Sequence, residues 1–75
     1  MTTQEIKSTP IGTKVSLMRK GIRVNGEVTG IFLDRAYNGE EIVGLVINHD
    51  PVQWGKDVYT RGVSMGQNLN TVKFI

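Results

Sequence analysis

Tyr37, Asn38 and Arg61 are the residues of this chain whose types combine into a coherent binding chemistry. An unpaired base is held by stacking on an aromatic ring or a guanidinium plane while an amide reads its Watson–Crick edge. These three side chains supply the ring, the amide and the guanidinium. A plainer reading of the same residues stays open on sequence grounds. Asn38-Gly39 suits a type I′ turn, Tyr37 a cross-strand partner and Arg61 a solvated strand end. Arg19, Lys20 and Arg23 cluster around a glycine turn, where they suit phosphate contacts or simple solvation. Trp54, beside Gly55 and Lys56, suits stacking on a base or on a neighbouring subunit, or capping the end of a barrel.

The remaining polar constellations carry no reaction. Glu40 and Glu41 are adjacent, so on a strand they point to opposite faces and cannot share acid–base work. His49 and Asp50 have no third ligand at a sensible spacing, and the chain has no cysteine, so no metal site is expected. Gly66-Gln67-Asn68 lacks the lysine and the following helix of a phosphate loop. With no nucleophile–base pair in view, the expectation is a protein without cofactor that is not an enzyme.

The chain around these residues has 75 residues, 39% of them hydrophobic and 21% charged, which suits one small globular domain and not a disordered segment. A domain of this size buries only about 60% of the surface its unfolded chain exposes, and oligomerisation is a usual source of the missing stability. No apolar run approaches a membrane span, and Met1-Thr2-Thr3-Gln4-Glu5 has no signal-peptide character. Without cysteines, a cytoplasmic location is the expectation. The formal charge of +2 is unevenly spread. Residues 1–33 hold five cations against two carboxylates, a net of +3, and residues 34–57 hold two against five, a net of −3. A ring of copies would repeat the basic segments around an axis.

The elements that must position these groups read as strands. Residues 1–10 form a polar N-terminal arm in which Thr2 and Glu5 have capping-box spacing, enough for one helical turn at most. Residues 11–75 form a single barrel domain. Val15 and Leu17 alternate on a first strand, and Arg19-Lys20-Gly21 is a turn. Ile22 to Leu33 is a long second strand whose Gly26 and Gly30 predict a sharp bend. Asn38-Gly39 marks a hairpin, and Ile42 to Ile47 is an apolar strand covered on both faces. His49 to Lys56, with Pro51 and Gly55, reads as a loop. Asp57 to Arg61 is a short fourth strand, Gly62 to Asn70 is irregular, and Thr71 to Ile75 is a fifth strand. The expected fold is all-β: a small, five-stranded, strongly bent antiparallel barrel. Its last strand ends on apolar Phe74-Ile75, an edge best covered by another subunit.

Gly21, Val24, Gly26, Val28 and Ile31, followed by Asp34-Arg35-Ala36-Tyr37-Asn38, resemble the first signature of the Sm/Lsm family of RNA-binding proteins. Val58-Tyr59-Thr60-Arg61-Gly62 resembles the second, a strand ending in Arg-Gly. Together the matches cover about half the chain, as those of a divergent member. Phe32 and Leu33 intervene before the Asp, Tyr37 sits one place late, Gly39-Glu40-Glu41 precede the third strand, and Val63 stands where Asn or Asp is usual. The resemblance implies an Sm-like homo-oligomeric ring of five to eight copies, in which the fourth strand of one subunit pairs with the fifth of the next. Val58, Tyr59, Val72, Phe74 and Ile75 would then lie at the subunit interface. It also implies single-stranded RNA as the partner, bound at the pore. There Asn38 would hydrogen-bond a base, Tyr37 and Arg61 would stack or clamp it, Gly62 would allow close approach, and Asp34 would support the loop. Arg19, Lys20 and Arg23 would meet phosphates on one ring face. The alternative is an SH3-like barrel that serves as a protein-interaction or structural subunit without nucleic acid, with Tyr37, Trp54 and Tyr59 lining a peptide groove.

Overall fold

The computed structural model describes residues 2–75. They form α1 (Thr3–Lys7), β1 (Lys14–Arg19), β2 (Ile22–Arg35), β3 (Glu41–Trp54), β4 (Asp57–Met65), a 3-10 helix (Gly66–Thr71) and β5 (Lys73–Phe74). All pairings are antiparallel, in the order β4-β3-β2-β1-β5. The fold is therefore the expected five-stranded, strongly bent sheet, and it stays open: β4 and β5 are its two outer strands, each with one edge unpaired among the described residues.

Two strands of 14 residues do the bending. Residues 22–27 of β2 pair with β1 and residues 26–35 with β3, and the register between β2 and β3 slips between Val28 and Gly30. That slip leaves Thr29 as the extra residue of a bulge, within the glycine-flanked bend the sequence predicts. The register between β3 and β4 slips between Asn48 and Val52, against Arg61 and Tyr59 on β4. Residues 49–51 thus stand opposite Thr60 alone. Pro51, which has no N–H to donate, occupies this irregular stretch, where no ladder bond is required. The expectation of a loop over residues 49–56 is corrected accordingly: β3 runs through to Trp54, and only Gly55 and Lys56 turn the chain. β4 likewise extends to Met65, and β5 is confined to Lys73 and Phe74.

The core follows from the alternation. Val15 and Leu17 of β1, Val28 of β2, and Val43, Leu45 and Ile47 of β3 pack into one buried cluster. Leu69 of the 3-10 helix and Val72 close it from one side. Burial of each such side chain contributes about 1.5–3 kcal/mol. Residues 2–10 are not detached from this core, because Ile6 of α1 is 2% exposed within it. α1 is the single turn expected and is closed by a capping box. The Glu5 N–H donates to Thr2 Oγ1 at 3.2 Å and the Thr2 N–H donates to Glu5 Oε1 at 3.2 Å. The Thr2 backbone N–H, with the Thr2 side chain second, holds the Glu5 carboxyl below its ordinary pKa.

Two close approaches set the curvature. A Cβ on Gly44 would lie 2.7 Å from the Ser64 carbonyl oxygen, and one on Gly26 would lie 2.7 Å from the Asn48 carbonyl oxygen. Each glycine is the residue that lets its strand pass so near its neighbour.

Candidate functional site

The hairpin between β2 and β3 is built on one left-handed residue, Gly39, with φ of 87°. The Gly39 N–H donates to the Ala36 carbonyl at 2.9 Å and the Ala36 N–H donates to the Glu40 carbonyl at 2.7 Å. A turn with a left-handed glycine after it is the bulged hairpin geometry, so the type I′ reading of Asn38-Gly39 is corrected: Asn38 has no positive φ. Asn38 Oδ1 accepts the Glu40 N–H at 3.0 Å, and Arg35 Nη1 donates to the Gly39 carbonyl at 3.0 Å. Arg35 and Asn38 thus brace the tip. The Asp34 carboxylate accepts the adjoining Arg35 N–H at 2.7 Å. Tyr37 stands fully in solvent, with no cross-strand partner in the β2–β3 register.

Arg61 and Gly62 lie elsewhere. They sit in the middle of β4, paired with Asn48 and Ile47 of β3. Asn48 is seven residues along β3 from Glu41, roughly 23 Å of extended strand. The chain by itself therefore does not bring Arg61 and Gly62 to Tyr37 and Asn38, and the expectation that Arg61-Gly62 ends its strand is corrected. The strand ends at Met65, before left-handed Gly66. Trp54 closes the far end of β3, so Tyr37 does not share a groove with Trp54 and Tyr59 within the chain either.

The expected interface residues divide. Val58 on β4 is exposed, as are Phe74 and Ile75 at the opposite end of the sheet. Val72 is a correction: it is 7% exposed and belongs to the chain's own core. Tyr59 is half-buried against a cluster that only the three-dimensional structure assembles.

That cluster joins the β1–β2 turn to the β3–β4 hairpin. Lys20 and Gly21 both have positive φ, 52° and 78°, the requirement of a two-residue type I′ turn. Lys20 Nζ lies 5.2 Å from the centroid of the Tyr59 ring and 5.8 Å from that of Trp54. The Arg19 guanidinium lies 5.5 Å from the Tyr59 centroid. It also covers Gly62, where a Cβ would come within 2.7 Å of Arg19 Nη2. Arg19 Nε is buried and makes no hydrogen bond. The described ion pairs, Lys7–Glu41 and Lys14–Glu27, involve neither Arg19 nor Lys20. Arg23 stands apart from them, since its Nη1 donates to the Thr71 carbonyl at 2.8 Å and to Ser16 Oγ at 3.3 Å. The trio expected on one turn is thus a pair facing aromatic rings and a third cation tying β2 to the segment before β5.

The sequence carried one mark of this cluster. Gly62 interrupts a strand, and a glycine there signals something passing close to the backbone. What passes is the guanidinium of Arg19, 43 positions earlier in the chain.

His49 is buried, with Nδ1 2.7 Å from the Asp50 carbonyl and Nε2 without a partner. Among the described residues no group of three or more His, Cys, Asp or Glu side chains could hold a metal ion. No helix there is long and apolar enough to cross a membrane. Comparison with known proteins finds no matching family model, no matching curated protein and no matching solved structure.

Proposed function

We propose that this chain is a non-enzymatic, Sm-like module that assembles into a homo-oligomeric ring and binds single-stranded RNA. The observation that carries the reading is the placement of the two unpaired sheet edges. β4 and β5 lie at opposite ends of the strand order, and each offers a free backbone ladder beside exposed apolar side chains, Val58 on one and Phe74 with Ile75 on the other. An unpaired apolar edge is a template for another strand, and two different edges on one subunit make a head-to-tail contact that can close into a ring. Each subunit would present its Tyr37-Asn38 tip and the cations of the β1–β2 turn, so assembly would multiply a weakly basic surface.

Light scattering behind size exclusion measures the assembly directly. The expected result is a mass of five to eight subunits at micromolar concentration, and a monomer refutes the ring. Binding of a fluorescent uridine oligonucleotide at two salt concentrations then tests the ligand. Asn38→Ala and Arg61→Ala are each expected to weaken it about tenfold, the cost of one lost hydrogen-bonded or charged contact of roughly 1–2 kcal/mol. Unchanged affinity in both variants removes these residues from the site.

The SH3-like alternative gains no support from the positions of its three aromatic residues. Tyr37 and Trp54 flank opposite ends of β3, so only Trp54 and Tyr59 remain together, and they share their surface with two cations.

A further inference from the structure

Beside the Arg19–Lys20 cluster lies a concavity lined by Met18, Arg19, Lys20, Val63, Ser64 and Asn68. It is lined by the end of β1 and its turn, the last residues of β4 and the 3-10 helix. Its lining holds two cations, a hydroxyl and a carboxamide, and no carboxylate. Three other concavities among the described residues each include at least one: Glu27 and Asp50, Glu5, or Glu41. A concave surface with fixed cations, hydrogen-bond donors and no competing acid is built for an anion.

The cations there are held in place. Gly62 lets the Arg19 guanidinium lie against β4, and a guanidinium whose Nε is buried without a partner gains from a nearby negative charge. Lys20 is the one described non-glycine residue with positive φ, a conformation that costs about 1–3 kcal/mol and that persists where the surroundings enforce it. That turn aims the ammonium toward Trp54 and Tyr59. Trp54 keeps 55% of its surface exposed next to this charge. Asp57 pairs with Trp54 across the hairpin and does not line the concavity.

We propose that this concavity seats a backbone phosphate of a single-stranded nucleic acid, held by Arg19, Lys20, Ser64 and Asn68, while Trp54 stacks the adjoining base. The choice of ligand rests on the RNA-binding reading. The site itself lies within one subunit and needs no ring. Phosphate and an aromatic surface side by side are the two elements that single strands require, and each base stacked on an aromatic residue adds sequence-tolerant affinity.

Two variants test the seat without destroying the fold. Lys20→Gly removes the ammonium at a position where glycine is the favoured residue. Gly62→Ala displaces the movable end of Arg19, since the three atoms nearest the Cβ, at 2.7–2.9 Å, all belong to that guanidinium. Fluorescence anisotropy with a uridine 12-mer, repeated across salt concentrations on the full chain, is expected to give about tenfold weaker binding for each variant. Each is also expected to flatten the slope of log K against log salt by about 0.7, the single-strand value for one lost phosphate contact. Trp54→Ala is expected to weaken binding at least about fivefold with the slope unchanged. Chemical shifts of the Ser64 and Asn68 amides follow titration with uridine monophosphate and with inorganic phosphate, which separates a polymer site from a small-phosphate site.

The outcomes are distinct. If the chain binds the 12-mer and both folded variants keep affinity and slope, the seat is overturned while the RNA reading stands. If Lys20→Gly and Gly62→Ala lose binding in a protein that proves monomeric, the seat stands and the ring falls. If the 12-mer does not bind, the RNA reading fails. Shifts at Ser64 and Asn68 with the monophosphate then keep the phosphate seat, and their absence overturns it. An acidic peptide that competes as well as the 12-mer overturns the assignment to nucleic acid.

Discussion

Gly44→Ala is expected to remove roughly 1–3 kcal/mol, most of the domain's stability, whereas Gly30→Ala folds as well as the parent or slightly better. Both glycines lie inside long strands, and neither has a positive φ. They differ in what a methyl group would meet. At Gly44 the Cβ falls 2.7 Å from the Ser64 carbonyl oxygen, 3.1 Å from Met65 Cβ and 3.2 Å from Val63 Cγ1. Ser64 is paired with Leu45, the next residue of β3, so its carbonyl cannot retreat without opening the β3–β4 ladder. Overpacking of this kind costs roughly 1–3 kcal/mol and occasionally more. A core of this size supplies only about 3–5 kcal/mol of net stability. At Gly30 the methyl group would touch Val46 side-chain atoms at 3.8 Å, an ordinary contact. The loss of glycine's freedom in the unfolded chain then favours folding by about 0.4–1 kcal/mol. Urea unfolding followed by Trp54 fluorescence checks both. A Gly44→Ala midpoint near that of the parent would show that β3 and β4 can separate without cost.

The second large effect concerns assembly. Val58→Lys combined with Phe74→Lys is expected to convert a ring into monomers that keep the parent's secondary structure. Both side chains are exposed in the subunit, 61% for Val58 and 53% for Phe74, so the fold loses little by the change. Lysine on an edge strand resists pairing, because a joined ladder would desolvate or oppose its charge. In a ring that joins β4 to β5, every interface would carry one new ammonium group on each of the two joined edges. Repulsion between like charges brought onto joined edges adds to the loss of apolar contact. Sedimentation or scattering reads the mass, and circular dichroism reads the fold. An unchanged mass would place the subunit contacts on another surface. A monomeric parent would refute the ring before any variant is made.

Much of the fold was legible because alternation and turn chemistry are local. Val15 and Leu17, the glycines of β2 and the Asn38-Gly39 pair each announced their role within a few residues, and the strands, the bend and the hairpin lie where they imply. The errors have physical causes. Pro51 reads as a breaker, yet a register slip gave it a place in β3 where its missing N–H is not needed. Gly62 looked like a strand end, yet it marks where Arg19 crosses. The third expected cation, Arg23, was diverted by a backbone carbonyl at Thr71 that no nearby residue reveals. Least legible was the meeting of Arg19, Lys20, Trp54 and Tyr59, because it depends on how far the sheet curls. Curl is the sum of two bulges and two close glycine contacts, and no single segment encodes it.

The strand order also has a kinetic consequence. β1 to β4 form a meander of three hairpins, whose contacts close short loops and so form early. The last pairing joins Val15 to Phe74 across almost the whole chain, through a strand of only two residues. Refolding should therefore reach a structured meander first and dock Lys73–Phe74 last. In pulse-labelled hydrogen exchange the β2 and β3 amides should become protected ahead of those in β5, and simultaneous protection would contradict this sequence of events. The segment that docks last also carries an unpaired outer edge of the sheet, so until Lys73–Phe74 docks, the β1 ladder stands open to any other strand that can pair with it.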